Sequence, residues 1–88
     1  MIVKNMTTDN GNEVPNQFII KTKKGIYFQS YRSIIAFEDN NRKITLDSNY
    51  WDYSRTTGKY RNQFLGENIA DTRQKIANKV YKLKDLNK

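Results

Sequence analysis

The spacing of apolar residues along this chain changes period once. Between Gln17 and Asp47 they fall in short β-rich runs, alternating in "GIYFQSY" and "KITLDS", the mark of strands. From Ser54 onward they recur at intervals of three and four, the period of a helix. "IVKNM" predicts a short first strand, and "TTDNGNEVPN", polar and holding the only proline, predicts a flexible loop over residues 7–16. Two hairpins follow. "QFIIKTKKGIYFQSY" turns on a Lys-Lys-Gly step, and "SIIAFEDNNRKITLDS" turns between Asp39 and Arg42. Alternation puts Ile26 and Phe28 on one face with Tyr27 and Tyr31 on the other, and it points Ile44 and Leu46 inward while Lys43 and Thr45 point out. Such a sheet has an apolar face to cover.

The second half of the chain supplies the cover. Ser54 is a good N-cap, Tyr60, Phe64 and Leu65 have helical spacing, and Gly66 suits the position just past a helix end, so Arg55–Leu65 is predicted as a helix. Gly58 interrupts it at a cost of about 1 kcal/mol relative to Ala. It marks either a late helix start after an ordered "SRTT" turn or the close approach of another backbone. A second helix begins at Asn68, with Asp71 as a partial capping box and Ile69, Ile76 and Val80 on one face. "VYKLKDL" either continues that helix through Leu83 or forms a last strand with Tyr81 and Leu83 inward and Lys82 and Lys84 outward. The expected fold is one α+β domain over residues 1–88: an antiparallel sheet of about four to five strands packed by two short helices.

Composition narrows the chemistry. With 88 residues there is room for one domain, and with no cysteine and no histidine a disulfide scaffold, a zinc finger and catalysis by thiol or imidazole are excluded. No apolar run approaches the roughly 18 residues of a membrane span, and the N-terminus lacks the apolar stretch of a signal peptide, so a cytoplasmic location is expected.

Residues 1–50 carry seven basic and five acidic side chains and residues 51–88 carry nine and four, so the second half holds +5 of the net +7. That asymmetry points to an anionic partner, nucleic acid above all. Against it stands the fact that Asn and Lys make up 22 of the 88 residues, which codon bias in an AT-rich genome produces without any functional cause.

The segment "NYWDYSRTTGKYRNQFLG" holds five of the eleven aromatic residues and three of the sixteen basic ones. Trp51 and Tyr53 are expected to extend a strand end and, with Tyr60 and Phe64, to plug the space between helix and sheet. Trp51, Tyr60 and Phe64 should be largely buried, while Ser54, Thr56 and Thr57 satisfy the free N–H groups of the first helical turn. The other side of the same helix carries Arg55, Lys59, Asn62 and Gln63, a basic and amide stripe beside a helix N-terminus. With Arg61, Lys75 and Lys79 it forms the candidate surface for nucleic acid or a partner.

Two constellations come near to catalysis or metal binding, a Ser54–Lys59 pair and an Asp47–Asp52 carboxylate pair. Neither is accompanied by an oriented base, an oxyanion motif or a Gly-rich phosphate loop, so a non-enzymatic protein without cofactor or metal is expected. Asp52 is expected to serve as a turn or capping residue and Asp47 as a surface charge at a strand end. Tyr27, Tyr31 and Phe37 on the sheet are placed either to stack single-stranded bases or to pack a second face.

"SYRSIIAFED", "ITLDSNYWDYSRTTGKYRNQFLGE" and the closing "YKLKDLN" resemble a family of small uncharacterised proteins encoded by phages and plasmids of low-GC bacteria. The resemblance covers Ser30 to Asn87 and leaves out about the first 25 residues. It implies a mobile-element origin, a compact sheet-plus-helix domain and an ending closer to a strand than to a helix. By analogy with small phage proteins that disable host machinery, as anti-CRISPR proteins do, it also implies a host nucleic-acid-handling complex as target. The alternative class is a protein-interaction module or homodimer whose charge is incidental.

Overall fold

A computed structural model describes residues 1–88. Its strands are β1 (Ile2–Thr7), β2 (Glu13–Lys21), β3 (Gly25–Ser30), β4 (Ser33–Asp39), β5 (Ile44–Asp47) and β6 (Lys82–Lys84); its helices are α1 (Arg55–Leu65) and α2 (Ile69–Ala77). All six strands join one sheet in chain order. The first five pair antiparallel as a run of hairpins, whereas β6 lies parallel to β5. The α+β class holds, but the sheet has six strands rather than four or five and is mixed rather than antiparallel. A parallel neighbour needs a long crossover, and residues 48–81, with both helices, supply one between β5 and β6.

The loop expected over residues 7–16 is shorter. β2 begins at Glu13, and the turn between β1 and β2 is closed by the Thr8 N–H on the Asn12 carbonyl at 2.8 Å and the Gly11 N–H on the Thr8 carbonyl at 2.9 Å. Pro15 is tolerated inside β2 because pairing with β3 starts only at Gln17, so the stretch before it has one neighbour and few donors to supply. Val14 is buried there.

At the next turn Gly25 is obligatory, since a Cβ on it would overlap the Glu38 carbonyl oxygen. Tyr31 does not continue the alternation of β3. It adopts a left-handed φ of 57° in the turn to β4 and is exposed.

Cross-strand register builds the core. Ile19, Phe28, Ala36, Leu46 and Leu83 align across β2 to β6 on the face toward the helices, and Phe28, Ala36 and Leu46 are fully buried. A bulge between Phe28 and Gln29 lets Ile35 be buried as well as Ala36. α1 delivers Tyr60, buried, and Phe64, whose ring stacks on Phe28 at 5.8 Å.

The opposite face is a second register row, Val3–Ile20–Tyr27–Phe37–Thr45–Lys82. None of these side chains belongs to the core packed under the helices. The C-terminal residues are tied to the sheet through Asp47, which is buried. Its Oδ2 accepts the Asn49 and Tyr50 N–H groups at 3.0 and 2.8 Å, and its Oδ1 accepts the Leu86 N–H at 2.7 Å and the Asn87 amide at 3.0 Å. Asp47 is therefore not the surface charge expected of it. A free strand-end carboxylate became an acceptor because the tail returns beside it.

Candidate functional site

α1 begins where the sequence places it. Ser54 is extended and its Oγ accepts the Thr57 N–H at 3.1 Å, while Gly66 closes the helix at φ 69° with its N–H on the Asn62 carbonyl. Thr57 is buried, and its hydroxyl meets the Ser30 hydroxyl of β3 at 2.8 Å, which fixes the N-terminal turn of α1 to the sheet.

Along one flank of this turn runs an open groove of about 650 Å³ lined by Asp52, Tyr53, Ser54, Arg55, Gly58, Lys59, Asn62 and Ile69. Arg55 and Lys59 are exposed, four residues apart on one helix face, and neither takes part in an ion pair. Lys59 lies 5.4 Å from the ring of Tyr60. Arg73 of α2 reaches the same rim and contacts Asp52 at 3.5 Å. The groove therefore gathers four cationic side chains, counting Arg61 beneath it, around a single carboxylate.

Arg61 is the correction to the predicted contact surface. It is 1% exposed. Its Nη1 donates to the Trp51 carbonyl at 2.9 Å and to Asp52 Oδ1 at 3.1 Å, its Nη2 donates to Asn62 Oδ1 at 3.0 Å, and its guanidinium lies 5.3 Å from the centre of the Trp51 ring. A side chain so held is a structural clamp between α1 and the segment leading into it. Gly58, one turn before Arg61, is covered by that guanidinium and not by another backbone: a Cβ there would sit 3.5 Å from Nη2, an ordinary contact that leaves room for a methyl. Nothing local in the sequence showed that the Arg would fold inward.

The remaining residues divide. Asn62 lines the groove, but Gln63 points to the other flank and donates from Nε2 to the Thr7 carbonyl at 3.1 Å. Lys75 is bound to Glu67 at 2.7 Å, and Lys79 stands beyond α2 in a left-handed conformation with φ 60°. Lys75 and Lys79 belong to the α2 end of the molecule, not to the groove. Of the aromatic set, Tyr60 is buried, Trp51 and Phe64 are half-buried, and Tyr53 is 49% exposed with its ring edge-on to Tyr50 at 5.5 Å. Tyr53 is therefore part of the rim and not of the plug.

The carboxylates are spoken for. Asp47 and Asp52 serve separate donor sets and do not form a pair, and no group of three or more Asp, Glu, His or Cys side chains converges to hold a metal. Ser54 Oγ is engaged by Thr57 on both sides, accepting its N–H and donating to its hydroxyl at 3.0 Å.

Glu67, between the helices, is a third anchor: it accepts from Thr72 Oγ1 at 2.6 Å and from Lys75 Nζ and Tyr81 Oη at 2.7 Å each. Burial by itself would raise its pKa, but the hydrogen bonds from Lys75, Thr72 and Tyr81 outweigh burial and hold the carboxyl below its ordinary 4.5. The bond to Glu67 raises Lys75, and burial followed by the same bond raises Tyr81. Asn68 caps α2 by accepting the Asp71 N–H at 2.9 Å.

Fold and groove define a small α+β domain with a mixed six-stranded sheet, two helices on one face and a basic, carboxylate-poor groove at the start of the first helix. The chain belongs to a family of unknown function (DUF8033), whose model matches residues 1–79. The match takes in the β1–β2 hairpin and stops short of β6. No curated protein and no solved structure matches the chain. No helix is long and apolar enough to cross a membrane.

Proposed function

We propose that this is a non-enzymatic accessory protein of a phage or other mobile element, acting in the host cytoplasm by binding nucleic acid or a host complex that handles it, in the manner of an inhibitor of host defence. The observation that carries the reading is the groove at the start of α1, where Arg55 and Lys59 stand free of acidic partners. A phosphate entering there meets two exposed cations and the positive end of a helix, and counterion release adds to the attraction. The resemblance to phage- and plasmid-encoded proteins supports the biological setting. The engagement of Asp47, Asp52 and Ser54 in structural hydrogen bonds supports binding over chemistry.

Titrating labelled duplex with the full chain over a series of salt concentrations tests this. With about four phosphates neutralised, log K falls against log salt with a slope near −3.6. Arg55→Ala and Lys59→Ala each reduce that slope by about one while changing stability by less than about 0.5 kcal/mol. Affinity that ignores salt, or variants that bind as the parent does, would remove the groove from the contact surface. The apolar outer face of the sheet favours a second reading, a protein-interaction module or homodimer, which predicts salt-insensitive association instead.

A further inference from the structure

The sheet face turned away from the helices is unusual for this architecture. An antiparallel sheet covered on one side ordinarily shows polar residues on the other. Here Tyr27 and Phe37 sit side by side on neighbouring strands, their ring centroids 4.4 Å apart, and Phe18 lies on the same face of β2 in register with Gln29. All three rings are half-buried and none is part of the core under the helices.

The same face ends in positive charge. Phe37 pairs with Thr45 and Thr45 with Lys82, so Lys82 stands two strand spacings, about 10 Å, from the aromatic pair. Lys84 lies two residues further along β6 and points to the same side; both lysines are exposed. The carboxylate beside Lys84 in register, Asp47, accepts four N–H donors and forms no ion pair with Lys84.

We infer that this face is a platform for single-stranded nucleic acid, with bases stacked on Tyr27, Phe37 and Phe18 and the phosphate backbone running along Lys82 and Lys84. The inference rests on nucleic acid being the partner and names its form and a second contact surface, on the side of the sheet away from the α1 groove. Ring surfaces attract unstacked bases of any sequence, whereas a duplex hides its base faces and would meet here only a shallow apolar sheet. A second copy of the chain fits less well. Face-to-face pairing would bring together two chains of net charge +7, each with Lys82 and Lys84 exposed on this face.

The test is fluorescence anisotropy with a labelled oligo(dT) of about 12 nucleotides, within the usual site size, and a duplex of equal length, on the full chain. Tyr27→Leu and Phe37→Leu keep apolar bulk and remove the ring. Each should weaken oligo(dT) binding about tenfold, with the duplex little affected. Lys82→Ala and Lys84→Ala should each lower the single-strand salt slope by about 0.7.

Should a Leu variant fail to fold, the ring protons of Tyr27, Phe37 and Phe18 in the unaltered protein give the same answer by NMR, shifting on addition of oligo(dT). Oligo(dT) binding that survives both Leu variants with unmoved ring signals overturns the platform. If such binding is lost in Arg55→Ala and Lys59→Ala, the function proposed above stands without it. No binding to either probe, together with a concentration-dependent dimer abolished by Phe37→Lys, would assign the face to a second copy and overturn the platform; absence of binding and of dimer would overturn it as well, and either result would remove nucleic acid as a direct partner in the function proposed above.

Discussion

Arg55 and Arg61 lie on the same helix six residues apart, and the fold treats them in opposite ways. Arg55 stands at the first turn, exposed and without an ionic partner. Arg61 is buried, shared between the Trp51 carbonyl, Asp52 and Asn62, and roofed by the Trp51 ring. Both are arginines in one polar, aromatic segment, and neither helical spacing nor charge separates them. What separates them is that the Trp51 carbonyl and Asp52 lie within hydrogen-bond reach of Arg61, while neither bonds Arg55. A charge becomes structural when its desolvation is offset by several fixed acceptors, and it stays available for a partner when it has none.

The contrast breaks most sharply at Arg61. Arg61→Ala leaves the Trp51 carbonyl and one side of Asp52 without their donor, and it should cost about 3–5 kcal/mol, lowering the melting temperature by about 15 °C or more. Circular dichroism melts of this variant beside Arg55→Ala measure the difference directly; equal melting temperatures would place both arginines on the surface. Asp47→Asn probes a similar device at the sheet edge. It keeps the shape but turns one acceptor into a donor facing donors, at a cost of about 2–3 kcal/mol, and the Leu86 amide should lose hydrogen-exchange protection.

A smaller effect is set by pH. Because Glu67 is held below 4.5 in the fold, the folded state binds fewer protons than the unfolded chain around that pH. The stability Glu67 adds is present above about pH 4.5 and is lost as pH falls through the lowered value. Tyr81, raised above 10.0, keeps its contribution up to that pH and loses it as pH rises through the raised value. Thermal melts between acid and neutral pH should show the acid loss, and Glu67→Gln should flatten it; a curve of the same steepness in the variant would assign the loss to other carboxylates. The smallest effect has the opposite sign. Gly58→Ala places a methyl in ordinary contact with the Arg61 guanidinium and gains helix propensity, so it should stabilise by about 0.5–1 kcal/mol, seen as a melting temperature raised by about 4 °C. A lowered one would mean that the guanidinium cannot make room.

The groove residues Arg55, Lys59 and Asn62 were legible in the sequence because i, i+4 and i+7 on a correctly bounded helix must share a face. Gln63, one residue further around, turned to the β1 end, and Arg73 joined the rim from another helix, which no spacing within α1 reports. Alternation placed Tyr27 on the outer face, but Tyr31 left it when the backbone turned left-handed, and Phe37, inside the unbroken apolar run "IIAF", was assigned to that face only by its register with Tyr27.

By itself the sequence determined whatever depends on neighbours within a few residues. Ser54, Gly66 and Asn68 capped their helices where expected, and the hairpins turned at Gly25 and at Asp39 to Arg42, because caps and turns are satisfied by groups close along the chain. Tertiary structure decided whatever depends on which distant segment arrives. It chose strand over helix for "YKLKDL" by offering the open edge of β5, it made Asp47 a buried acceptor by bringing Leu86 and Asn87 to it, and it drew Arg61 inward by laying the Trp51 carbonyl and Asp52 beneath its helix. A polar side chain carries no local mark of burial, because the free energy that permits its burial resides in acceptors and donors that only the completed fold assembles.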